Sequence, residues 1–281
     1  MTQRRPAVLP PGVTPAAVAA LHDHILGWYA EHRRDLPWRR TRDPYAVLVS
    51  EIMLQQTQVP RVIPKFEEFL GVWPRLEDLA AAELADVLRV WRGLGYNNRA
   101  RRLRECAVSV VGAAGAGPAT LPGSLDGLRA LPGIGPYTAR AVLIFADNTD
   151  LAAVDANVRR VLTSELGLAE DLGDRDLQAV ADAVLPAGRS RDWHNALMDY
   201  GSLVLTARTT GIAPRTRQSV FHGSRRWYRS RLLRALLDGG PQPLSGLAAA
   251  AGLTVEAAAD IAASLEADGL IACDGDLVRV P

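Results

Sequence analysis

Apolar residues recur at helical spacing along nearly the whole chain, and alternating β-branched runs are almost absent until the last dozen residues. Positions three and four apart share one helix face, so this pattern builds an all-α body and leaves room for a sheet only at the C-terminal end. The longest apolar runs, residues 46–50 and 139–146, fall well short of the roughly 18 needed to cross a bilayer. No membrane helix is expected. Residues 1–14 are proline-rich and lack the long apolar stretch of a signal peptide, so they read as a disordered leader and the expected compartment is the cytoplasm. With 281 residues, 48% of them hydrophobic, the chain can bury a sizeable core. Its two cysteines, Cys106 and Cys273, cannot make a disulfide framework or a metal site built from cysteine alone, and reduced thiols are expected.

The spacing predicts helices over 15–32, 59–70, 76–82, 83–91, 98–113 and 124–131. Another starts at Asp43-Pro44, where aspartate can cap free amides and proline suits the first turn, and it carries YAVLVSEIMLQQT. Residues 131–146, LPGIGPYTARAVLIFA, end one helix, turn at Pro132-Gly133-Ile134-Gly135 and start a second, which is a helix-hairpin-helix pattern. Its glycines, Gly133 and Gly135, permit positive φ and leave the backbone uncovered, so amides at the second helix's N-terminus can meet a DNA phosphate. A plain helix-helix turn is the alternative. Thr138, beside these glycines, is a further candidate for contact with DNA, and the hairpin is also a candidate site for a monovalent cation.

Past residue 225 the pattern changes to helices over 229–237, 244–251 and 255–267, followed by LIACDGDLVRV, two short strands about an Asp-Gly pair. Three helices and a hairpin suggest a winged-helix-like module over 226–281. Its third helix carries Glu256, Asp260, Glu266 and Asp268 and no basic residue, so protein contact or packing is expected of it rather than DNA reading.

The net charge of +1 gives no general nucleic-acid signal, but its distribution is uneven. Residues 205–237 hold eight arginines and no acid, whereas 238–281 hold seven acids and only Arg279, so just one of these segments can meet phosphates. Lys65 is the only lysine.

Two carboxylates stand out. Glu51 lies mid-helix among Val47, Leu48, Leu54 and Gln55, where desolvation should raise its pKa and let it hold a proton near neutrality. Asp155 opens VDANVRRVL as a helix cap, where amides and the helix dipole should keep it ionised, with Asn157 able to orient it. An acid for the leaving group and an anion beside a developing oxocarbenium ion are what breaking a glycosidic bond requires. Taken singly, each also fits a bland reading, a surface glutamate and a simple N-cap.

DLPWR (35–39), SEIMLQQTQV (50–59), GLGY (93–96), LPGIGPYTA (131–139) and VDANVRRVL (154–162) resemble, in order and spacing, the MutY-type adenine-DNA glycosylases over about residues 28–205. The resemblance implies a mainly α, two-lobed helix-hairpin-helix glycosylase fold. One lobe would combine 15–37 with 148–222, and a six-helix barrel over 38–147 would form the other. It implies that Glu51 protonates a purine at N7, that Asp155 stabilises the sugar cation and that Asn157 supports it. Gln56, with Gln55, resembles the wedge beside an extruded base, Tyr96 a residue inserted near the opposite base, and Trp38 and Arg39 pocket residues. Tyr137 sits where bifunctional relatives carry a Schiff-base lysine, so a monofunctional enzyme is implied. The implied partner is double-stranded DNA with a mispaired or damaged base, bound by a monomer, with a protein partner conceivable for the acidic module.

The sequence departs from that family in several places. Relatives bind an iron-sulfur cluster through four cysteines, but Leu205, Ile212, Arg215 and Phe221 stand at the matching places, so no cofactor is expected. Packing of Ile212 and Phe221 is expected to hold this loop instead, its arginines remaining available to phosphate. Asp155-Ala156-Asn157 replaces Asp-Gly-Asn, Asn97 replaces a common aromatic, and the tail does not resemble the relatives' domain for oxidised guanine. Adenine opposite 8-oxoguanine or guanine is the first expected substrate. Thymine or uracil opposite guanine is the second, because relatives of that type pair a tyrosine with Asp-Ala-Asn, and a non-catalytic DNA-binding protein is the reading from another class.

Overall fold

A computed structural model describes residue 9, residues 11–213, residue 215 and residues 220–281. Residues 1–8 and 10 of the expected leader lie outside the described residues. In chain order the elements are α1 (Pro15–His32), α2 (Pro44–Leu54), α3 (Val59–Val72), α4 (Leu76–Ala81), α5 (Leu84–Val90), α6 (Asn98–Ala114), α7 (Leu125–Arg129), α8 (Pro136–Asp147), α9 (Ala156–Glu165), α10 (Asp174–Ala183), α11 (Ser190–Leu203), α12 (Ala207–Thr210), α13 (Arg225–Gly239), β1 (Gln242–Pro243), α14 (Leu244–Ala251), α15 (Val255–Ala267), β2 (Ala272–Asp274) and β3 (Leu277–Arg279). The mainly α class expected from the periodicity is the one observed.

The chain divides into two compact units. The first takes the described residues of Met1–Leu48, Pro122–Arg129 and Ile134–Arg217, and the second those of Val49–Leu121, Ala130–Gly133 and Gln218–Pro281. In the first unit α1, capped by the Thr14 hydroxyl, packs on α11 and α11 packs on α9, so that Leu21 and Ile25 share one core with Trp193, Ala196 and Leu197 of α11 and Val158, Val161 and Leu162 of α9. The 3- and 4-residue spacings within each helix make these contacts, and each fully buried large side chain contributes about 1.5–3 kcal/mol. The boundary falls inside α2, which starts where Asp43 accepts from the amides of Tyr45 (3.1 Å) and Ala46 (3.3 Å), as the Asp-Pro pair predicts.

In the second unit α4 and α5 pack on α6, with Phe69, Trp73 and Trp91 meeting edge to face. The C-terminal residues run helix, strand, helix, helix, strand, strand, and the sheet order β1-β3-β2 is antiparallel throughout. That is the winged-helix arrangement, with two findings the sequence reading lacked. Strand β1 pairs Gln242 with Val278, and the hairpin loop is Gly275-Asp276, with positive φ at Gly275 alone, so the turn suits type II′. Helix α13 also starts four residues earlier than expected, because the Ser224 hydroxyl accepts from the Trp227 amide and caps it. The acids of α15 are used within the module. Asp260 pairs with Arg225, Asp268 pairs with Arg229, and the Glu266 carboxylate accepts from the Cys273 amide.

Candidate active site

In the first unit Asp155 is the N-cap of α9. Its Oδ1 accepts from the amides of Asn157 (2.8 Å) and Val158 (2.7 Å), and its Oδ2 accepts from the Asn157 side-chain amide (3.0 Å). Arg160 then donates to the Asn157 Oδ1 (2.7 Å) and to the carbonyls of Gly201 and Leu205. Gly201 must be glycine here, since a Cβ would lie 2.9 Å from the Asn157 Cβ and 3.0 Å from its carbonyl. The structure thus brings Asp155 and Asn157 together and adds Arg160 behind them. The electrostatics differ from expectation. Burial pushes the Asp155 carboxyl above the usual carboxylate range, outweighing the two amides, Asn157 and Arg160, all of which pull the other way.

The segment leading into this cap is held by His194, which sequence reasoning missed. It is buried, its Nε2 accepts from the Ala153 amide (2.9 Å), and its Nδ1 donates to the Ser190 carbonyl (2.7 Å). Burial pulls its pKa down to about 4, so the ring is neutral at neutral pH. Asp199 was missed as well. Its side chain is fully buried and accepts from the Arg34 amide (3.0 Å) and Nε (2.6 Å) and, two-pronged, from Arg39 Nη1 (2.7 Å) and Nη2 (2.8 Å). Burial raises the Asp199 pKa, but the two guanidinium groups bring it to a net value below the usual range. This corrects the pocket expectation for Arg39, because its fork is committed to Asp199 and to the Arg34 carbonyl (3.1 Å) and so anchors the loop. Trp38 is buried beside it at 8% exposure.

Around the hairpin, Gly133 has φ of 77° and its missing Cβ would meet the Arg102 Cβ at 2.8 Å, so glycine is required twice over. Gly135 differs from expectation. It caps α8 in an extended conformation open to any residue, with space around it. Thr138 is another correction. It is buried with Ala139, Ala141 and Val142 on the inward face of α8, so its side chain does not reach out to DNA, whereas Tyr137 one position earlier is half-buried.

In the second unit Glu51 is buried in α2, at 7% exposure. Beyond it, Gln56 (φ 59°) and Tyr96 (φ 48°) both adopt left-handed backbone conformations, which non-glycine residues occupy at a cost of about 1–3 kcal/mol. One side chain holds both turns. Arg99 Nη1 donates to the carbonyls of Ile52 (2.8 Å), Met53 (2.9 Å) and Gln55, ending α2, and its Nη2 donates to Thr57 Oγ1 and to the Leu94 and Gly95 carbonyls, all at 3.0 Å. Burial pulls the Arg99 pKa down to about 10, so it stays charged at neutral pH. Nothing in the sequence distinguishes this arginine from its 30 fellows. Gln55, Gln56 and Tyr96 line one cavity.

The expected cluster-free loop is held differently from the prediction. Ile212 is buried, but Phe221 is 47% exposed and belongs to the second unit, against Arg226. Guanidinium groups do the rest. Arg160 reaches the Leu205 carbonyl, Arg159 reaches Ala213 (3.3 Å), and Arg215, expected for phosphate, pairs with Asp174 and the Leu172 carbonyl. The donors for an iron-sulfur cluster do not fit. Cys106 is buried in α6, Cys273 is exposed on β2, and the four matching positions supply no thiolate.

Residues 49–186 match the family described as HhH-GPD superfamily base excision DNA repair protein. The chain is similar to the adenine DNA glycosylase of Mycolicibacterium smegmatis, at 46% identity over 195 residues covering 68% of this chain and 66% of that one. It is similar to the human adenine DNA glycosylase at 40% over 204 residues, 68% of this chain and 37% of that one. It therefore spans just under two thirds of the first relative and about a third of the second. Among solved structures, a thermostable thymine-DNA glycosylase superposes with a TM-score of 0.63 at 30% identity, covering 69% of this chain and 90% of that one. An endonuclease III–DNA complex reaches 0.62 at 20% identity, covering 72% and 91%, a likeness of fold alone.

Proposed function

The chain belongs to the HhH-GPD superfamily of base-excision DNA-repair proteins, and on that premise we propose that it is a monofunctional DNA glycosylase excising adenine mispaired with 8-oxoguanine or guanine. The observation that carries this reading is the Asp155 cap, an acid held by two amides and Asn157 with one buried arginine behind them. An anion fixed in that way stabilises a sugar cation without reorganising as the charge develops.

Extrusion of the target nucleotide from the stack exposes its base to the catalytic groups. Glu51 delivers its proton to N7, and the C1′–N9 electron pair passes into the purine, which leaves neutral. Asp155 faces the positive charge shared by C1′ and O4′. Water adds to C1′ and yields its proton to the Glu51 carboxylate, which restores the acid and leaves an intact abasic site. Strand cleavage through a Schiff base needs a free amine. Tyr137 offers none, and the Lys65 ammonium is bound to Glu68 (2.8 Å) and the Val90 carbonyl (2.9 Å). The enzyme acts as a monomer in the cytoplasm without an iron-sulfur cluster.

Likeness to the thymine-DNA glycosylase favours a second reading, removal of thymine or uracil opposite guanine. Duplexes holding A:8-oxoG, A:G, A:C, T:G and U:G, treated with alkali after incubation, separate the two. Cleavage confined to the adenine strands is expected. Glu51→Gln and Asp155→Asn should each lower the single-turnover rate ~100-fold or more while leaving duplex affinity roughly intact. Equal rates in wild type and both variants would remove the mechanism, and borohydride trapping of a protein–DNA adduct would remove the monofunctional assignment.

A further inference from the structure

The cavity lined by Gln55, Gln56 and Tyr96 has a volume of about 830 Å³, and its other wall is α13 of the C-terminal module. Six arginines line it against one acid, Asp268, which Arg229 already pairs, and Arg92 is paired with Asp238 beside it. The lining is therefore net positive, although the module as a whole is acidic. Arg61 on α3 and Arg234 on α13 are exposed and make no ion pair among the described residues. The same lining holds an aromatic and guanidinium stack. Arg226 donates to the Tyr96 hydroxyl and lies 5.4 Å from the Tyr96 ring and 5.9 Å from the Phe221 ring. Tyr96 and Phe221 are 40% and 47% exposed.

We propose that this cavity is a DNA-strand subsite assembled jointly by the C-terminal module and the Gln56 and Tyr96 turns, so that the module meets DNA through its first helix and not its third. The inference rests on the glycosylase reading and assigns the module a place in it. Unpaired cations beside exposed rings suit a nucleic-acid strand, whose phosphates take Arg61 and Arg234 while a base stacks on the ring platform. An acidic peptide would use the arginines but leave the exposed rings without a task. The two left-handed residues at the rim hold their side chains at a cost, which is how chains mark places where a contact must be made.

The test is the anisotropy of a fluorescein-labelled, undamaged duplex with the full chain, titrated across salt concentrations. It needs no turnover. Each phosphate contact contributes about 0.9 to the slope of log Kd against log salt, so Arg61→Gln and Arg234→Gln should each lower the slope by about 1 and the double variant by about 2. The double variant should also weaken binding by about 10-fold or more at 0.1 M salt, while Arg279→Gln, which removes the same charge on β3 outside the cavity, should change neither. An unchanged slope in the double variant, or an equal loss in Arg279→Gln, overturns the proposal. So does tighter wild-type binding of a labelled oligoglutamate with the same arginine dependence, because the occupant is then a peptide. If the slopes move as expected but no duplex yields abasic sites, the subsite stands and the glycosylase reading falls. If excision proceeds and the slopes do not move, the reverse holds.

Discussion

Acidification should destabilise this protein in a pH window set by one histidine. His194 is buried with both ring nitrogens in hydrogen bonds, and its pKa lies near 4 against 6.5 for a free imidazole. Above pH 6.5 neither the folded nor the unfolded state carries the proton, so the full stability is present. As pH falls from 6.5 towards 4 the unfolded chain takes up a proton that the folded one refuses, and stability is lost; below 4 both are protonated and the loss stops. A difference of about 2.5 units at 1.36 kcal/mol each gives about 3 kcal/mol, a large share of the 5–15 kcal/mol typical of folded proteins. Carboxylates titrate over part of the same range, so the measurement is a difference. Urea unfolding of wild type and His194→Gln is compared at pH 7, 6, 5 and 4, glutamine being able to accept from Ala153 and donate to Ser190 without titrating. The variant should be the less stable at pH 7 and should close the gap by about 3 kcal/mol at pH 4. Parallel stability curves for the two proteins would show that the ring is not held neutral and refute the argument.

Two further perturbations act on buried ionic groups. Arg99→Lys keeps the charge but replaces a planar fork serving six acceptors by a single point, and should cost about 2–4 kcal/mol in urea unfolding. It should also slow excision more than it weakens undamaged-duplex binding, since the Gln56 and Tyr96 turns lose their common brace; a neutral substitution would sink that role. Asp199→Ala strands the Arg34 and Arg39 guanidinium groups and should cost about 3–5 kcal/mol by the same assay. Because the Asp199 pKa is depressed, this contribution should persist through neutral pH and fade only as pH falls below the ordinary carboxylate range, so a loss confined to alkaline pH would contradict it.

Local pattern made most of the helices legible, and α1, α14 and α15 begin and end where their spacing and caps say they should. What escaped depends on partners distant in sequence. Strand β1 is two residues long and exists only because β3, some 35 residues later, offers it a ladder. Arg99, His194 and Asp199 look ordinary in one dimension, because an arginine's spacing does not say which carbonyls will converge on it. Phe221 was misread for a related reason. Its hydrophobicity predicted a core position, whereas a neighbouring guanidinium holds the ring partly exposed. No glycine announces the left-handed backbone at Gln56, and at Tyr96 the preceding Gly93 and Gly95 announce a turn without showing that the tyrosine itself is left-handed, so only the resemblance singled out those two residues.

In the mechanism proposed above Asp155 serves both as a helix cap and as the anion beside the sugar cation, and the two roles make different demands. Amides and a helix dipole alone would depress its pKa, yet burial raises it, so the folded protein holds this carboxylate in a state less favourable than water would give. The same desolvation strengthens its attraction for a cation formed at close range, which only the transition state supplies. Stability and activity therefore pull against each other at this position. With the folded pKa above the unfolded 3.8, stability should decline as pH climbs from that value towards the raised one, by 1.36 kcal/mol for each unit. Asp155→Asn keeps a competent cap and sheds the charge, at a cost of about 1 kcal/mol for the lost bond from the Asn157 side chain. Measured by urea unfolding from pH 4 upward, the variant should gain on wild type as pH rises while its excision rate collapses. A variant that loses ground as pH rises would mean that the amides prevail over burial, and that Asp155 ionises as readily as any surface aspartate.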